Sequence, residues 1–295
     1  MDNIDLILKN NDYKIVEGSI YSFAFKDNPS IEIHDDVGGS KIKELESIKF
    51  TLPYWESRYY YRNIEKSINL VNRNSTVLDV GCGDGRFTLF LIEKGFKNIF
   101  ALDSNIYSLL SLKTTLRNKK LTNYVTLIHD DVLSLPFYPN SFDLVFSIGV
   151  LYYLNKNYEI GLRRIVKTIK KNGILVETEP SFEGSAIKSL LFDGLEQFLN
   201  TGLNNEFIEI FKNEKVNVRC FKDEELYNIF TDNNLKVQWS CGISLFPTLV
   251  RILEKKGILN KNKLLEKENK IFEIFDYFND KGRLYKHKLW LLKKI

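Results

Sequence analysis

Residues 77–86 read VLDVGCGDGR, and this stretch restricts the fold more tightly than any other. Val77, Leu78 and Val80 form an apolar run without polar alternation, as expected of a strand buried on both faces. Gly81, Gly83 and Gly85 follow at every second position. Glycine enters left-handed backbone without steric cost, so the run marks a sharp turn out of the strand. From Arg86 to Lys94 the apolar spacing is helical, and Gly95 stands where a C-terminal cap glycine belongs. Strand, glycine turn and helix make the opening of a parallel strand–helix–strand unit.

The unit repeats. NIFALD predicts a second strand, NIYSLLSLKTTLRNK a second helix, VTLIHD a third strand and FDLVFS a fourth. Leu162, Ile165, Val166 and Ile169 share one face of a helix expected over 158–171 and ended by Gly173; GILVETE is the fifth strand. Such repeats give an α/β class, a Rossmann-like, mostly parallel sheet with helices on both faces. KVQWS supplies a sixth strand, and the closing HKLWLL a seventh that returns antiparallel as an edge. Two helical insertions are expected, over about 182–215 (SAIKSLLFDGLEQFL and NEFIEIFKNE) and 248–283. Asp223 is the expected N-cap of the helix that starts at KDEELY.

Upstream, Tyr61, Ile64, Ile68 and Val71 mark a helix over 54–72. YKIVEGSIYSFAF reads as two short strands around Glu17-Gly18, with Tyr21, Phe23 and Phe25 alternating onto one face. The segment NPSIEIHDDVGGSK that follows reads as loop. Residues 1–50 are therefore expected to be an N-terminal cap, and 51–295 the main domain.

The glycine loop decides the chemistry. A dinucleotide fingerprint needs G-x-G-x-x-G, but its third glycine falls at Arg86 here, and Gly85 is one position early. A Walker A loop is absent, because no Gly-Lys-Ser/Thr follows. Asp79, inside the strand, would repel a pyrophosphate but suits a cofactor with ammonium and sulfonium charge. Asp103 ends the second strand, 20 residues past Gly83, where a carboxylate can accept from both hydroxyls of a ribose. After the third strand, HDDVLSLPF offers Asp131 to an adenine amino group and the Val132 N–H to a ring nitrogen.

The blocks VLDVGCGDGRFT, ALDSN, DDVLSLPFYPNSFDLVFSIGVLYYL and IVKTIKKNGILVETEP, over about 75–180, resemble the class I S-adenosylmethionine (SAM)-dependent methyltransferases. The likeness is to small-molecule enzymes of the ubiquinone/menaquinone-biosynthesis type, and HKLWLLKK is similar to that family's last strand. The resemblance implies SAM as cofactor. Gly81 and Gly83, with Cys82 between them as a small filler, would lie along its amino-acid part, with Asp79 near the ammonium. Asp103, beside Ser104 and Asn105, would hold the ribose; Asp131 and Val132 would read the adenine; Ser147 would sit under the methionine. Members of the family often carry His at the position of Tyr152 or Tyr153, which this chain lacks.

Around that set, Arg62 or Arg58 is a candidate for the cofactor carboxylate, since Arg favours bidentate carboxylate contacts. Tyr153 and Glu179 are the candidate acceptor-side catalytic groups. Cys82, Cys220 and Cys241 form no Cys-x-x-Cys pair, and with three His no metal site is expected. His34, His129 and His287 read as incidental or structural.

The expected activity is therefore methyl transfer from SAM to a small-molecule or lipid-like acceptor. The alternatives are an RNA or protein methyltransferase, or a non-catalytic SAM-binding protein. Nucleic acid is disfavoured as a partner at this stage: no Pro-Pro-Tyr/Phe follows the fourth strand, no Cys follows Pro, and 42 basic against 38 acidic residues leave a net charge of only +4. The acidic N-terminus lacks an apolar signal core, and FDLVFSIGVLYYL is too short to span a bilayer, so a cytoplasmic protein is expected.

Overall fold

The computed structural model describes residues 7–9, 12–23, 46–49, 51–211, 214–281 and 285–295. Phe25, His34 and the segment 28–41 lie outside the described residues. A single large sheet organises the rest. Its strands are β1 (Lys14–Val16), β2 (Ile20–Ser22), β3 (Val77–Val80), β4 (Ile99–Asp103), β5 (Val125–His129), β6 (Phe142–Ile148), β7 (Ile169–Pro180), β10 (Leu235–Ser244) and β11 (Tyr285–Lys294). They stand in the order β1-β2-β5-β4-β3-β6-β7-β11-β10. Strands β5, β4, β3, β6 and β7 are mutually parallel, and β11 returns antiparallel between β7 and β10.

The sheet is thus the expected α/β architecture with two corrections. It has nine strands, because the N-terminal hairpin joins it: β2 pairs in parallel with β5, setting Ile20 against Leu127. The antiparallel terminal strand is also not the edge, since β10 lies outside it.

Both faces are covered, which explains the unbroken apolar strands. Leu78 and Val80 pack with Phe100, Leu102 and Val145 on one face; Val77 packs with Ile99, Leu144 and Phe146 on the other. Helices α1 (Leu52–Ile68), α2 (Arg86–Glu93), α3 (Ile106–Asn118) and α4 (Tyr158–Thr168) carry the covering side chains. Trp55, Tyr59 and Ile64 of α1 lie in one layer, Leu162 and Ile165 of α4 in the other. Helix α4 stops at Thr168, not near Gly173; Gly173 belongs to β7, where an added Cβ would crowd Ile169 and the Lys170 carbonyl.

Beyond β7 the chain forms α5 (Phe182–Lys188), a π-turn over Ser189–Asp193 and α6 (Leu195–Asn204). The second expected helix of that insertion is instead a ribbon, β8 (Glu206–Phe211) with β9 (Glu214–Arg219). Its sequence EFIEIF places apolar residues at i, i+1, i+3 and i+4, which suits a helix face as well as a strand. Pairing with the alternating EKVNVR decides for the strand, and Phe207 with its partner Val218 enters the core. Next come α7 (Asp223–Asp232), α8 (Phe246–Lys255), α9 (Lys261–Glu266) and α10 (Glu268–Lys281). Asp223 is the first residue of α7 and not its cap, which is Lys222; with Glu224 and Glu225 it complements the helix dipole. Among the described residues no helix is long and apolar enough to cross a membrane.

Candidate active site

A cleft of about 490 Å³ opens at the carboxyl ends of the parallel strands. This is where ligands of open α/β sheets bind. The glycine loop forms its floor. Gly81, Gly83 and Gly85 have φ of +65°, +54° and +93°. A Cβ at Gly81 would collide with the Val150 side chain, so the close approach of the β6 loop needs glycine there.

The loop is tied to Asp103. The Gly83 N–H donates to Asp103 Oδ2 at 2.7 Å, and the Asn105 N–H to Oδ1 at 2.8 Å. Asn105 in turn caps α3, its side chain accepting from the Tyr107 and Ser108 N–H groups. Burial pushes the Asp103 carboxyl up; the two backbone donors oppose that shift. Each oxygen keeps a second acceptor site, so a rigid pair of acceptors faces the cleft.

The third strand ends in a second fixed turn. The Leu133 N–H donates to Asp131 Oδ1 at 2.7 Å, and the Asp131 N–H to Asp130 Oδ1 at 2.8 Å. Asp130, Asp131, Val132 and Leu133 all line the cleft beside Asp103 and Ser104. His129 is structural: it bonds Ser22 Oγ at 2.9 Å and the Ser104 carbonyl at 3.1 Å.

Not every expected residue reaches the cleft. Asp79 is buried behind the loop, where Thr88 Oγ1 donates to it at 2.6 Å. Burial raises its carboxyl to about 7, against the Thr88 bond. Ser147 is fully buried and directs its hydroxyl to Glu177 at 3.4 Å. Cys82 does line the cleft. Burial, then the carboxylates of Asp103, Asp79 and Asp84, hold its thiol well above the usual range, so it is no nucleophile.

Arg62 is not a cleft residue. It is 41% exposed and faces Asp276 at 3.7 Å. The cleft arginine is Arg86, at the start of α2, which sequence reasoning overlooked. Its Nε lies 2.7 Å from Glu46 Oε1 and its Nη2 donates to Ser57 at 2.9 Å, while its plane rests against Tyr60, Tyr61 and Phe87. Arg58 pairs with Asp276 at 3.0 Å.

The far end of the cleft is aromatic. Tyr153 lines it, with its ring centroid 4.3 Å from that of Tyr152. Glu179 lies elsewhere: it is fully buried near Glu177, Tyr158 and Arg219 and does not line the cleft. Burial and the adjacent Glu177 push its carboxyl well up, so it is held neutral. His287 is the second residue that sequence reasoning missed. It comes from β11, lines the cleft and bonds Tyr60 through Nδ1 at 3.1 Å. No local signal marks it; only the return of β11 beside β7 brings it there.

Residues 78–176 match a methyltransferase domain family. The chain is 31% identical over 142 residues to a tRNA U34 carboxymethyltransferase of Nautilia profundicola, covering 43% of this chain and 46% of that one. It is 29% identical over 102 residues to an (S)-coclaurine N-methyltransferase of Thalictrum flavum subsp. glaucum, covering 34% and 27%. The chain thus spans less than half the length of either relative. Among solved structures, a SAM-dependent methyltransferase from Methanosarcina mazei superposes with a TM-score of 0.56 at 17% identity, covering 77% of this chain and 95% of that one. Residues 78–176 thus match a methyltransferase domain family, and the chain has the fold of SAM-dependent methyltransferases. The fixed Asp103 acceptors and the glycine floor fit the ribose and chain of SAM. The ubiquinone-type likeness is not what these comparisons bring out. The expectation that nucleic acid is an unlikely partner is corrected by them too: relatives named tRNA U34 carboxymethyltransferase recur among the matches. Missing Pro-Pro-Tyr and Pro-Cys motifs exclude two kinds of base methyltransferase, not RNA acceptors in general.

Proposed function

We propose that this chain transfers a methyl group from SAM to an RNA, with a tRNA base as the acceptor. The observation that carries the donor half is the Asp103 carboxylate held at both oxygens by the Gly83 and Asn105 N–H groups. The acceptor half is supported by the repeated tRNA-modifying relatives and by the aromatic end of the cleft. Tyr153, half-buried and backed by Tyr152, offers a planar face of the kind on which unstacked bases rest. A cleft of about 490 Å³ that also holds the cofactor admits no duplex, so the base enters from a loop or is flipped out.

Bound SAM supplies an electrophilic methyl on a sulfonium. The protein's work is then placement. Asp103 would anchor the ribose, Asp131 and Val132 the adenine, and the backbone of Gly81 and Gly83 the amino-acid chain. Orientation of a nucleophile in line with the methyl contributes about 7–11 kcal/mol to lowering the barrier.

The test is tritium transfer from methyl-labelled SAM to unfractionated bacterial tRNA, followed by nucleoside digestion. Label in one modified nucleoside, with binding that weakens steeply with salt, is the expected result. Label no higher than in the Asp103→Ala control, with SAM bound normally, overturns the acceptor assignment.

A further inference from the structure

The order of the strands lays the cleft out as a line. From β5, where Asp131 follows, to β11, where His287 stands, there are five strand spacings, about 24 Å at about 4.8 Å each. Asp103 lies near one end, the glycine loop of β3 near the middle and His287 at the other end. The register adds height. Val80 pairs with Ser147, Ser147 with Glu177, and Glu177 with Trp290, whereas His287 pairs with Pro180. His287 therefore stands three residues, about 10 Å, beyond the level at which the glycine loop begins. It is on the side opposite the ribose anchor and above the floor.

The residue is only 8% exposed. Nδ1 is engaged with the Tyr60 hydroxyl, and the ring stacks on Tyr152 at 22° with centroids 6.1 Å apart. Nε2 is buried and has no hydrogen-bond partner among the described residues. A buried polar atom without a partner costs free energy, about 1–3 kcal/mol, unless something supplies one. The charged and titratable groups around it are Lys286 next in chain, Lys188 of α5, and Tyr60, Tyr152, Tyr153 and Glu56 of the cleft wall. Burial, Lys286 and Lys188 hold the imidazole well below its usual range, hence neutral.

We propose that His287 is the acceptor-side base, its Nε2 receiving the hydrogen bond and then the proton of the attacking acceptor atom, with Nδ1–H fixed on the Tyr60 oxygen. This rests on the methyl-transfer reading of the cleft. The acceptor's lone pair forms the new bond to the methyl carbon, and the old carbon–sulfur pair stays on sulfur. The positive charge so placed on the acceptor atom makes its proton acidic, and that proton passes to Nε2. A neutral imidazole can take it even though its basicity is low. Tyr60 is a positioning residue, since it acts through the tautomer it selects.

The tautomer is measurable without any acceptor. The full chain labelled with 15N-histidine, with His287→Gln as the assignment control, is expected to show a bare Nε2 and a protonated Nδ1 at neutral pH. The reverse tautomer overturns the proposal, because a protonated Nε2 accepts nothing. In the tRNA labelling assay, His287→Gln is expected to lower kcat at least about 100-fold, with S-adenosylhomocysteine affinity by calorimetry within about threefold. Tyr60→Phe is expected to lower kcat less and to mix the tautomers; it serves if the Gln variant does not fold. Unchanged kcat in either folded variant contradicts the assignment. If the wild type labels no tRNA, the RNA reading falls, while the reverse tautomer alone still overturns the role of His287.

Discussion

The two ends of the cleft are built differently. At the ribose end every fixing contact is short in sequence: Gly83 to Asp103, Asp103 to Asn105, Asp131 to Leu133. Asp103 and Asp131 each accept from a backbone N–H two residues on in their own turn, and Gly83 reaches Asp103 from the neighbouring strand's loop. At the aromatic end the contacts are long: Tyr60 meets His287 across 227 residues, and Arg86 reaches back to Glu46 and Ser57. The first end is a property of three strand–turn segments. The second exists only when α1, β11 and the sheet are assembled. The family match over residues 78–176 takes in Asp103 and Asp131, and of the aromatic end Arg86, Tyr152 and Tyr153 but not Tyr60 or His287.

This contrast can be broken by mutation. The largest effect on stability is expected for Arg86→Ala. It strands Glu46 beside Tyr61 and removes a cation from three aromatic faces. Breaking a buried pair at one partner costs about 3–5 kcal/mol, measurable by urea unfolding, with the aromatic end loosened first in hydrogen exchange. A loss below about 1 kcal/mol would show that the assembled end is less interlocked than its contacts imply.

Next is a pH effect behind the ribose end. Asp79 is neutral in the fold up to about pH 7, but ionises near its ordinary value once unfolded. Its contribution is fully present below the unfolded value, declines as pH rises, and is gone above about 7. Asp79→Asn should remove on the order of 2–3 kcal/mol of the stability lost between about pH 5 and 8, at about 1.4 kcal/mol per pH unit. Unfolding of the cofactor-free protein at both pH values checks it. Equal slopes for the two proteins would show that Asp79 is charged in the fold.

Smaller still is Gly81→Ala, which meets Val150 and a left-handed backbone at once. A cost of about 1–3 kcal/mol is expected, with Val150→Ala restoring part of it in the double variant. Full additivity of the two changes would argue against their contact. Arg62→Ala should be nearly silent: an exposed ion pair is worth about 0–1 kcal/mol, and cofactor affinity should not move. A tenfold loss of that affinity would return Arg62 to the cleft.

The same contrast explains what the amino-acid sequence revealed. Asp103, Asp131 and the glycine loop were legible because strand, turn and carboxylate sit within one repeating unit. Thr88 was not singled out, although it lies one helical turn into α2 and satisfies Asp79. His287 and Arg86 carry no local signature, and Arg62 was favoured because arginine suits a carboxylate, with nothing in the sequence to show that it faces Asp276. The β8–β9 ribbon was misread because EFIEIF satisfies two periods, and only its partner strand decides between them. The hairpin was recognised, but its place beside β5 depends on a pairing over a hundred residues long.

The central claim is that the ribose end binds the cofactor through Asp103. Calorimetric titration of S-adenosylhomocysteine into the wild type and into Asp103→Ala tests it most directly. The account predicts one site per chain in the wild type and an affinity at least about 100-fold lower in the variant, the loss of two charge-assisted bonds. Equal affinity in the two folded proteins would contradict it.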